Sequence, residues 1–115
     1  MKLRDVKHLI DAEVITECNL EREVERIMAS DLMSDVLSYG ISGTLLVTSL
    51  TNVQTVRAAE VIELSGIVYA RGKRPSDEAI RVAQSKNVPL LRSDKTVFSI
   101  CGTLHNSGFK DIQDE

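Results

Sequence analysis

The sequence predicts an α/β fold: a single domain with a mainly parallel sheet flanked by helices. From Gly43 onward, short apolar runs alternate with segments whose apolar residues recur every three or four positions. This alternation is typical of βαβ units, which produce parallel strands. The chain of 115 residues is long enough to bury one core, and no linker-like stretch divides it. We therefore expect one domain over residues 1–109, followed by a frayed polar tail over 110–115.

The individual elements follow from the spacing of apolar residues. Period-3.6 spacing predicts helices, and continuous apolar runs predict strands that are covered on both faces. In the first half, the predicted order is a helix over 3–10, strands within 12–16 and 21–29, and a helix with the apolar stripe Leu32, Met33, Val36 and Leu37. In the second half, three strands alternate with three helices. The strands are predicted over 43–48, over 66–70 and at Leu90–Leu91, and the helices over 52–64, around Ala79–Ala83 and across Val97, Ile100, Cys101 and Leu104.

The helix ends are predicted from residues that favour helix starts and stops. Starts are assigned to Ser30 or Asp31, to Pro75 in a first turn, and to Ser93 or Asp94; stops are assigned to Gly40 in the left-handed conformation and to Gly108.

Composition excludes several classes of partner. The net charge is -3 and aromatic residues make up 3% of the chain, which disfavours nucleic-acid binding because phosphate contacts need a positive field and single strands need stacking platforms. No apolar run approaches the roughly 20 residues of a membrane span. Cys18 and Cys101 are far apart in the sequence, as expected for reduced thiols. We expect a cytoplasmic protein.

A ligand site is predicted where three strands end. The carboxyl ends of parallel strands meet at one edge of the sheet, beside helix N-termini that favour anions. Hydroxyls, main-chain amides and cations there suit a small anionic metabolite such as a nucleotide. The candidate ligand-binding residues are Thr48, Ser49, Thr51, Asn52, Arg71, Gly72, Lys73, Arg74, Ser93 and Asp94.

Other interpretations of the same residues stay open. The Ser, Thr, Asn and Asp side chains of the predicted site are also the residues that cap helices without any ligand. The cationic run Arg71–Arg74 could instead contact nucleic acid, although it stands on an acidic domain. Cys101 and His105 are four residues apart on a predicted helix, but only His8 and Cys18 could complete a metal site with them. We expect no metal and no cofactor.

Catalytic motifs do not emerge from the sequence. It contains no G-x-x-x-x-G-K-[ST] loop, no G-x-G-x-x-G and no G-x-S-x-G elbow. A nucleophile with a positioned base cannot be assembled from the remaining residues. The sequence therefore favours a binding or regulatory protein over an enzyme, with a small phosphoryl- or acyl-transfer enzyme as the weakest of three hypotheses.

Several local strings resemble the DRTGG domain family. They are the strand and loop Leu45–Ser49, the strand Gly66–Tyr69 with its basic loop, Val88–Leu91, and the helix entry Ser93–Phe98. The family is named for an Asp-Arg pair after one strand and a Thr-Gly-Gly after the next. Here Thr51-Asn52 occupies the first place and Ala70-Arg71-Gly72 the second, so only Gly72 is retained.

The resemblance covers residues 1–109 and implies an α/β accessory domain with a regulatory or dimer-forming role. The family's domains lie beside CBS domains in some pyrophosphatases, precede the catalytic part of some phosphotransacetylases, and are similar to the N-terminal domain of HPr kinase. The leading hypothesis is a homodimeric regulatory module that senses a small anion. The alternative is a protein-interaction subunit that docks on a metabolic enzyme without a small ligand.

Overall fold

In the computed structural model, which describes residues 1–114, five helices cover the two faces of a six-stranded sheet. The helices are α1 (Leu3–Leu9), α2 (Met33–Tyr39), α3 (Val53–Ile62), α4 (Asp77–Lys86) and α5 (Val97–Asn106). The strands are β1 (Glu13–Val14), β2 (Arg26–Ala29), β3 (Thr44–Thr48), β4 (Gly66–Tyr69), β5 (Leu90–Arg92) and β6 (Lys110–Asp111). Across the described chain, no helix is both long and apolar enough to span a membrane.

The strand order is β1-β5-β4-β3-β2-β6, and every pairing is parallel except that of β1 with β5. β2 pairs with β3 over four residues and β3 with β4 over another four. The predicted parallel sheet is therefore confirmed. The short antiparallel β1 closes one edge, and β6 partly covers the other.

The helices divide between the two faces of the sheet according to the direction in which the chain advances. α2, α3 and α4 each lead one strand further, from β2 to β5, and contribute to one core with Met28, Leu46 and Tyr69. α5 leads back across the sheet to β6, and it packs with α1 on the opposite face. Because crossovers between parallel strands are right-handed, reversing the direction of travel moves the helix to the other face.

From β3 to α5 the order and type of the elements agree with the sequence prediction, and all five residues of β3 are buried. The two strands of the N-terminal half are shorter than predicted, because only Glu13–Val14 and Arg26–Ala29 form strand pairings. The predicted frayed tail is wrong in part. Residues 110 and 111 form β6, which pairs with β2, and the Ile112 N–H donates to the Ile27 carbonyl at 3.2 Å. Glu115 lies outside the described residues.

Several predicted helix ends are also wrong. α2 has Leu32 at its N-cap without a side-chain cap, and α5 is capped by Thr96, whose hydroxyl accepts from the Ser99 amide. Pro75 precedes the Ser76 cap of α4 instead of lying in the first turn. Gly40 has φ -65° and is not left-handed. A glycine occupies position 40 because a Cβ there would lie only 2.5 Å from the Val36 carbonyl oxygen.

The apolar stripe predicted for α2 is only partly buried. Val36 is fully buried, whereas Leu32 and Leu37 are each 56% exposed. α2 lies at the end of its helical layer with α3 as its neighbour, so one side of the stripe has no element to cover it. Tyr39 and Ile41, at the end of α2, are also exposed.

The side chain of Tyr69 is a phenol buried in the core between the sheet and the helices α3 and α4. The residue is 0% exposed, and within residues 1–114 its hydroxyl has no hydrogen-bond partner. Burial raises the pKa of Tyr69, since the low-dielectric surroundings oppose the phenolate. An unpaired buried hydroxyl lowers stability because it loses its hydrogen bonds to water on folding.

We predict that Tyr69→Phe leaves the fold intact and raises the free energy of unfolding by about 1 kcal/mol, since it removes an unsatisfied polar group without changing the shape of the ring. Urea denaturation followed by circular dichroism measures the change. Tyr39→Phe is the matched control, because Tyr39 is 63% exposed, and its stability should stay within about 0.5 kcal/mol of the parent. A loss of stability in Tyr69→Phe would show that the buried hydroxyl is paired.

Candidate functional site

The loops that follow β3, β4 and β5 meet at the carboxyl edge of the sheet, as the sequence predicts. The Ser76 amide donates to the Thr51 carbonyl at 2.9 Å, which joins the first loop to the second. The Gly72 amide donates to the Ser93 carbonyl at 2.8 Å, which joins the second loop to the third. We call this surface, formed by residues 48–52, 70–76 and 93–96, the carboxyl rim.

A tight turn at the end of β4 holds the middle of the carboxyl rim. Arg71 and Gly72 have φ values of 57° and 65°, and the Lys73 amide donates to the Ala70 carbonyl at 3.2 Å. Two consecutive positive φ angles are the mark of a type I′ turn. Glycine suits position 72 because the positive φ strains other residues, and a Cβ there would lie 2.6 Å from the Asp94 carboxylate, which would have to move. Asp94 is thus packed against the turn.

Asp31, which the sequence analysis treats only as a helix cap, organises the first loop of the rim. Its carboxylate accepts from the Ser49 amide at 2.7 Å, the Ser49 hydroxyl at 2.6 Å and the Thr48 hydroxyl at 2.9 Å. The pKa of Asp31 is lowered first by the two Ser49 hydrogen bonds, then by Thr48 and the nearby charge of Lys73. The hydroxyls of Thr48 and Ser49 are therefore engaged within the protein.

Two further residues of the predicted site make structural contacts within the protein. The Asn52 side-chain oxygen caps α3 by accepting from the Thr55 amide at 3.3 Å. Ser93 is 1% exposed, and its hydroxyl donates to the Ile10 carbonyl at 2.7 Å. It does not cap α5, and it is not free to donate to a ligand as predicted. The contacts of these residues agree with the alternative that the sequence leaves open, in which polar side chains of this region have structural roles.

The cations of the rim have no such partners. Arg71, Lys73 and Arg74 are exposed, and no Asp or Glu of residues 1–114 lies within ion-pair distance of them. The first turn of α3 next to them carries no acid, whereas that of α4 carries Asp77 and Glu78. The positive side chains of the rim are therefore concentrated at this turn, which we call the cationic turn, next to the acid-free start of α3.

A concave feature lies at the β2 edge of the sheet, away from the cationic turn. We call it the edge groove; its volume is about 350 Å³. It is bounded by α2 on one side, α5 on the other and the segment around β6 below. Its lining residues are Ile27, Met28, Ala29, Ser30, Asp35, Tyr39, Cys101, His105, Phe109, Lys110, Asp111 and Ile112.

The sequence does not predict the edge groove, because the walls of the groove come from segments whose apolar patterns indicate separate or unstructured pieces of chain. β6 lies in the predicted tail, and β2 is shorter than the strand predicted within 21–29. One signal does point to it. Cys101 and His105 are predicted to share a helix face, and both side chains line the groove.

The two thiols are free, and burial raises the pKa of both Cys18 and Cys101, with Asp111 raising that of Cys101 further. Raised thiol pKa values mean little thiolate at neutral pH and low nucleophilicity. Within residues 1–114, no group of three or more His, Cys, Asp and Glu side chains is placed to hold a metal ion.

We predict that Asp31→Asn destabilises the protein by roughly 1–2 kcal/mol at pH 7, because an amide replaces a carboxylate that accepts three hydrogen bonds. Because the pKa of Asp31 is lowered by folding, its contribution is fully present above the ordinary value of 3.8 and is lost as pH falls through the folded value. Urea denaturation at pH 7 and pH 3 tests both parts: the difference between parent and variant should shrink at pH 3.

The control for this prediction is Glu17→Gln, which neutralises an exposed carboxylate that forms no ion pair within the described chain. It should change stability by less than about 0.5 kcal/mol at either pH. A constant difference between Asp31→Asn and the parent from pH 7 to pH 3 would contradict the assigned role of the charge.

Comparison with known proteins agrees with this fold. A sequence model of the DRTGG domain matches residues 5–107. Among solved structures, the chain is similar to the CBS and DRTGG domains of the regulatory region of Clostridium perfringens pyrophosphatase, a structure complexed with the activator diadenosine tetraphosphate. The TM-score is 0.73 and the identity 16%, over 89% of this chain and 45% of that one. No curated protein matches the sequence.

The chain thus corresponds to less than half of that regulatory region, and the likeness establishes the shared fold. The family match extends over nearly the whole sheet, from α1 to the end of α5. The mostly parallel sheet, its two helical layers and the match over residues 5–107 together place this protein in the DRTGG domain family.

Proposed function

We propose that this protein is a non-catalytic regulatory domain that senses a small anionic metabolite, such as a nucleotide, at the carboxyl rim. The observation that carries the proposal is the exposed cationic turn, in which Arg71, Lys73 and Arg74 have no carboxylate partner within residues 1–114. A phosphate group placed there would gain charge-assisted hydrogen bonds without breaking an existing ion pair.

The construction of the rim supports this proposal. The main-chain bonds of Gly72 and Ser76 and the contacts of Asp31 hold the loops together, so the turn that carries the cations is already ordered. A preorganised site avoids part of the entropy cost of binding. The similar regulatory region of the Clostridium perfringens pyrophosphatase is complexed with a dinucleoside polyphosphate, which supports nucleotides as the first ligands to test.

We predict that pyrophosphate, ATP or diadenosine tetraphosphate raises the melting temperature of the full chain. At ten times the dissociation constant the stabilisation is about 1.4 kcal/mol, or roughly 5 °C for a domain of this size. The double variant Lys73→Glu/Arg74→Glu should lose this shift, because it reverses two charges at the turn. Thermal unfolding monitored by dye fluorescence at low salt measures both.

The matched control is Lys7→Glu/Arg81→Glu, which makes the same charge change on the exposed faces of α1 and α4. It should keep the full shift, and added salt should weaken the shift in the parent. If no anion stabilises the parent, or if the control loses the shift equally, sensing at the rim is wrong.

The second part of the proposed function is self-association, and it is supported by a different surface. Leu37 on α2, Ile41 beyond it and Val61 on the neighbouring α3 are 45–77% exposed. Large apolar side chains exposed on adjacent elements are a feature of protein interfaces. We propose that this apolar surface pairs two copies of the chain. The alternative is a protein-interaction subunit that uses the same surface to dock on a metabolic enzyme.

We predict that light scattering after size-exclusion chromatography gives about twice the 12.7 kDa mass of the chain. Leu37→Lys should convert the dimer to a monomer, because it places a charge in an apolar interface. Ser85→Lys on α4 is the control and should remain dimeric. A parent protein that is monomeric at high concentration excludes the homodimer and favours the enzyme-docking alternative.

A further inference from the structure

The edge groove differs from the carboxyl rim in its charge. Asp35 and Asp111 contribute carboxylates to its lining, against the single ammonium of Lys110 and the imidazole of His105. The groove therefore has no excess of positive charge to hold a phosphate. Its floor is apolar, with Met28, Ile112 and the buried Phe109. Such a lining, apolar with a few polar groups, suits a neutral small molecule better than an anion.

The size of the groove restricts the ligand further. Small-molecule sites are commonly about 300–1,000 Å³, and the volume here is about 350 Å³. A ligand of this size is a single heterocycle with a small substituent, such as a sugar. A dinucleotide or a folded peptide would exceed the space.

The last residue of β2, Ala29, gives the groove a main-chain N–H and C=O that are unpaired within the described chain. In the ladder between β2 and β3, Ala29 is opposite Val47, and the Val47 carbonyl accepts from the Ser30 amide. Because consecutive residues of a strand direct their main-chain groups to opposite sides, the N–H and C=O of Ala29 point away from β3. β6 ends opposite Ile27, so within residues 1–114 nothing pairs with Ala29 on that side.

The main chain of Ala29 thus offers one donor and one acceptor side by side at the open edge of the sheet. A planar ligand that carries an acceptor and a donor on neighbouring atoms, as an amide or the Watson–Crick edge of a nucleobase does, can bind both at once. The rings of Tyr39 and His105, which also line the groove, provide aromatic surfaces beside it. The Asp35 carboxylate is an acceptor for hydroxyl groups.

From these features we propose that the edge groove is a second binding site, which takes a neutral nucleobase or nucleoside through the main chain of Ala29. The proposal does not depend on the cationic turn. It is independent of whether the carboxyl rim binds phosphate, because the two surfaces use different residues and opposite charge properties.

The test is a titration of the uniformly ¹⁵N-labelled full chain with adenosine, guanosine, cytidine and uridine, followed by two-dimensional NMR. At least one nucleoside should shift the Ala29 amide together with amides of other lining residues, in a saturable manner. His105→Trp should weaken that binding by at least about tenfold, because the indole fills the groove. The matched control Asn106→Trp, on the adjacent exposed residue of α5 outside the lining, should bind within about twofold of the parent.

A second variant tests the main-chain contact itself. Ala29→Pro removes the N–H while keeping an edge-strand position where proline is tolerated, and it should weaken nucleoside binding by at least about tenfold. Melting temperatures confirm that each variant is folded, and His105→Trp decides the matter if Ala29→Pro is not. The variant Lys73→Glu/Arg74→Glu should bind the nucleoside as well as the parent does.

The proposal is overturned if none of the four nucleosides shifts the Ala29 amide at millimolar concentration, or if His105→Trp and Asn106→Trp bind equally well. Pyrophosphate titrated into the same sample separates the two proposals. Shifts confined to the cationic turn, with none from nucleosides, would support the rim and refute the groove.

Discussion

The parallel pairing of β2, β3, β4 and β5 is the constraint on which both candidate sites depend. Parallel strands require a crossover after each of them, so each carboxyl end is followed by a loop and a helix at the same edge of the sheet. The carboxyl rim is the direct result. Its loops are then joined by main-chain hydrogen bonds, such as that from Gly72 to Ser93, which do not depend on side-chain identity.

The reversal of the chain after β5 produces the second feature. α5 crosses the opposite face of the sheet and delivers β6 to the far edge, beside β2. Since β6 pairs only with Arg26 and Ile27, the last residue of β2 stays open between α2 and α5. The edge groove therefore exists because a two-residue strand covers only half of a four-residue one. A longer final strand would fill it.

The two proposed sites divide the chemistry of a nucleotide between them in the functions that we propose. The rim carries exposed cations that form no ion pair within residues 1–114, while the groove combines apolar contacts with two carboxylates and an open main-chain edge. In these proposals, charge attracts phosphate at the rim, and shape and hydrogen-bond pattern select an uncharged ring at the groove. At the rim, the hydrogen bonds between Asp31 and Ser49 hold the loop after β3 in place.

The sequence by itself determined the βαβ order, the buried strands from Thr44 to Leu91 and the meeting of three loops at one edge. These features depend on local apolar spacing and on the handedness of crossovers, which a short stretch of chain already specifies. Only the tertiary structure decided which polar side chains remain free. Ser93 turned inward to Ile10 and Ser49 to Asp31, because a buried or half-buried donor bonds to whatever acceptor the fold brings near. The edge groove was decided in the same way, since it depends on a contact between residues 26–29 and 110–112, more than 80 positions apart, that no local pattern encodes.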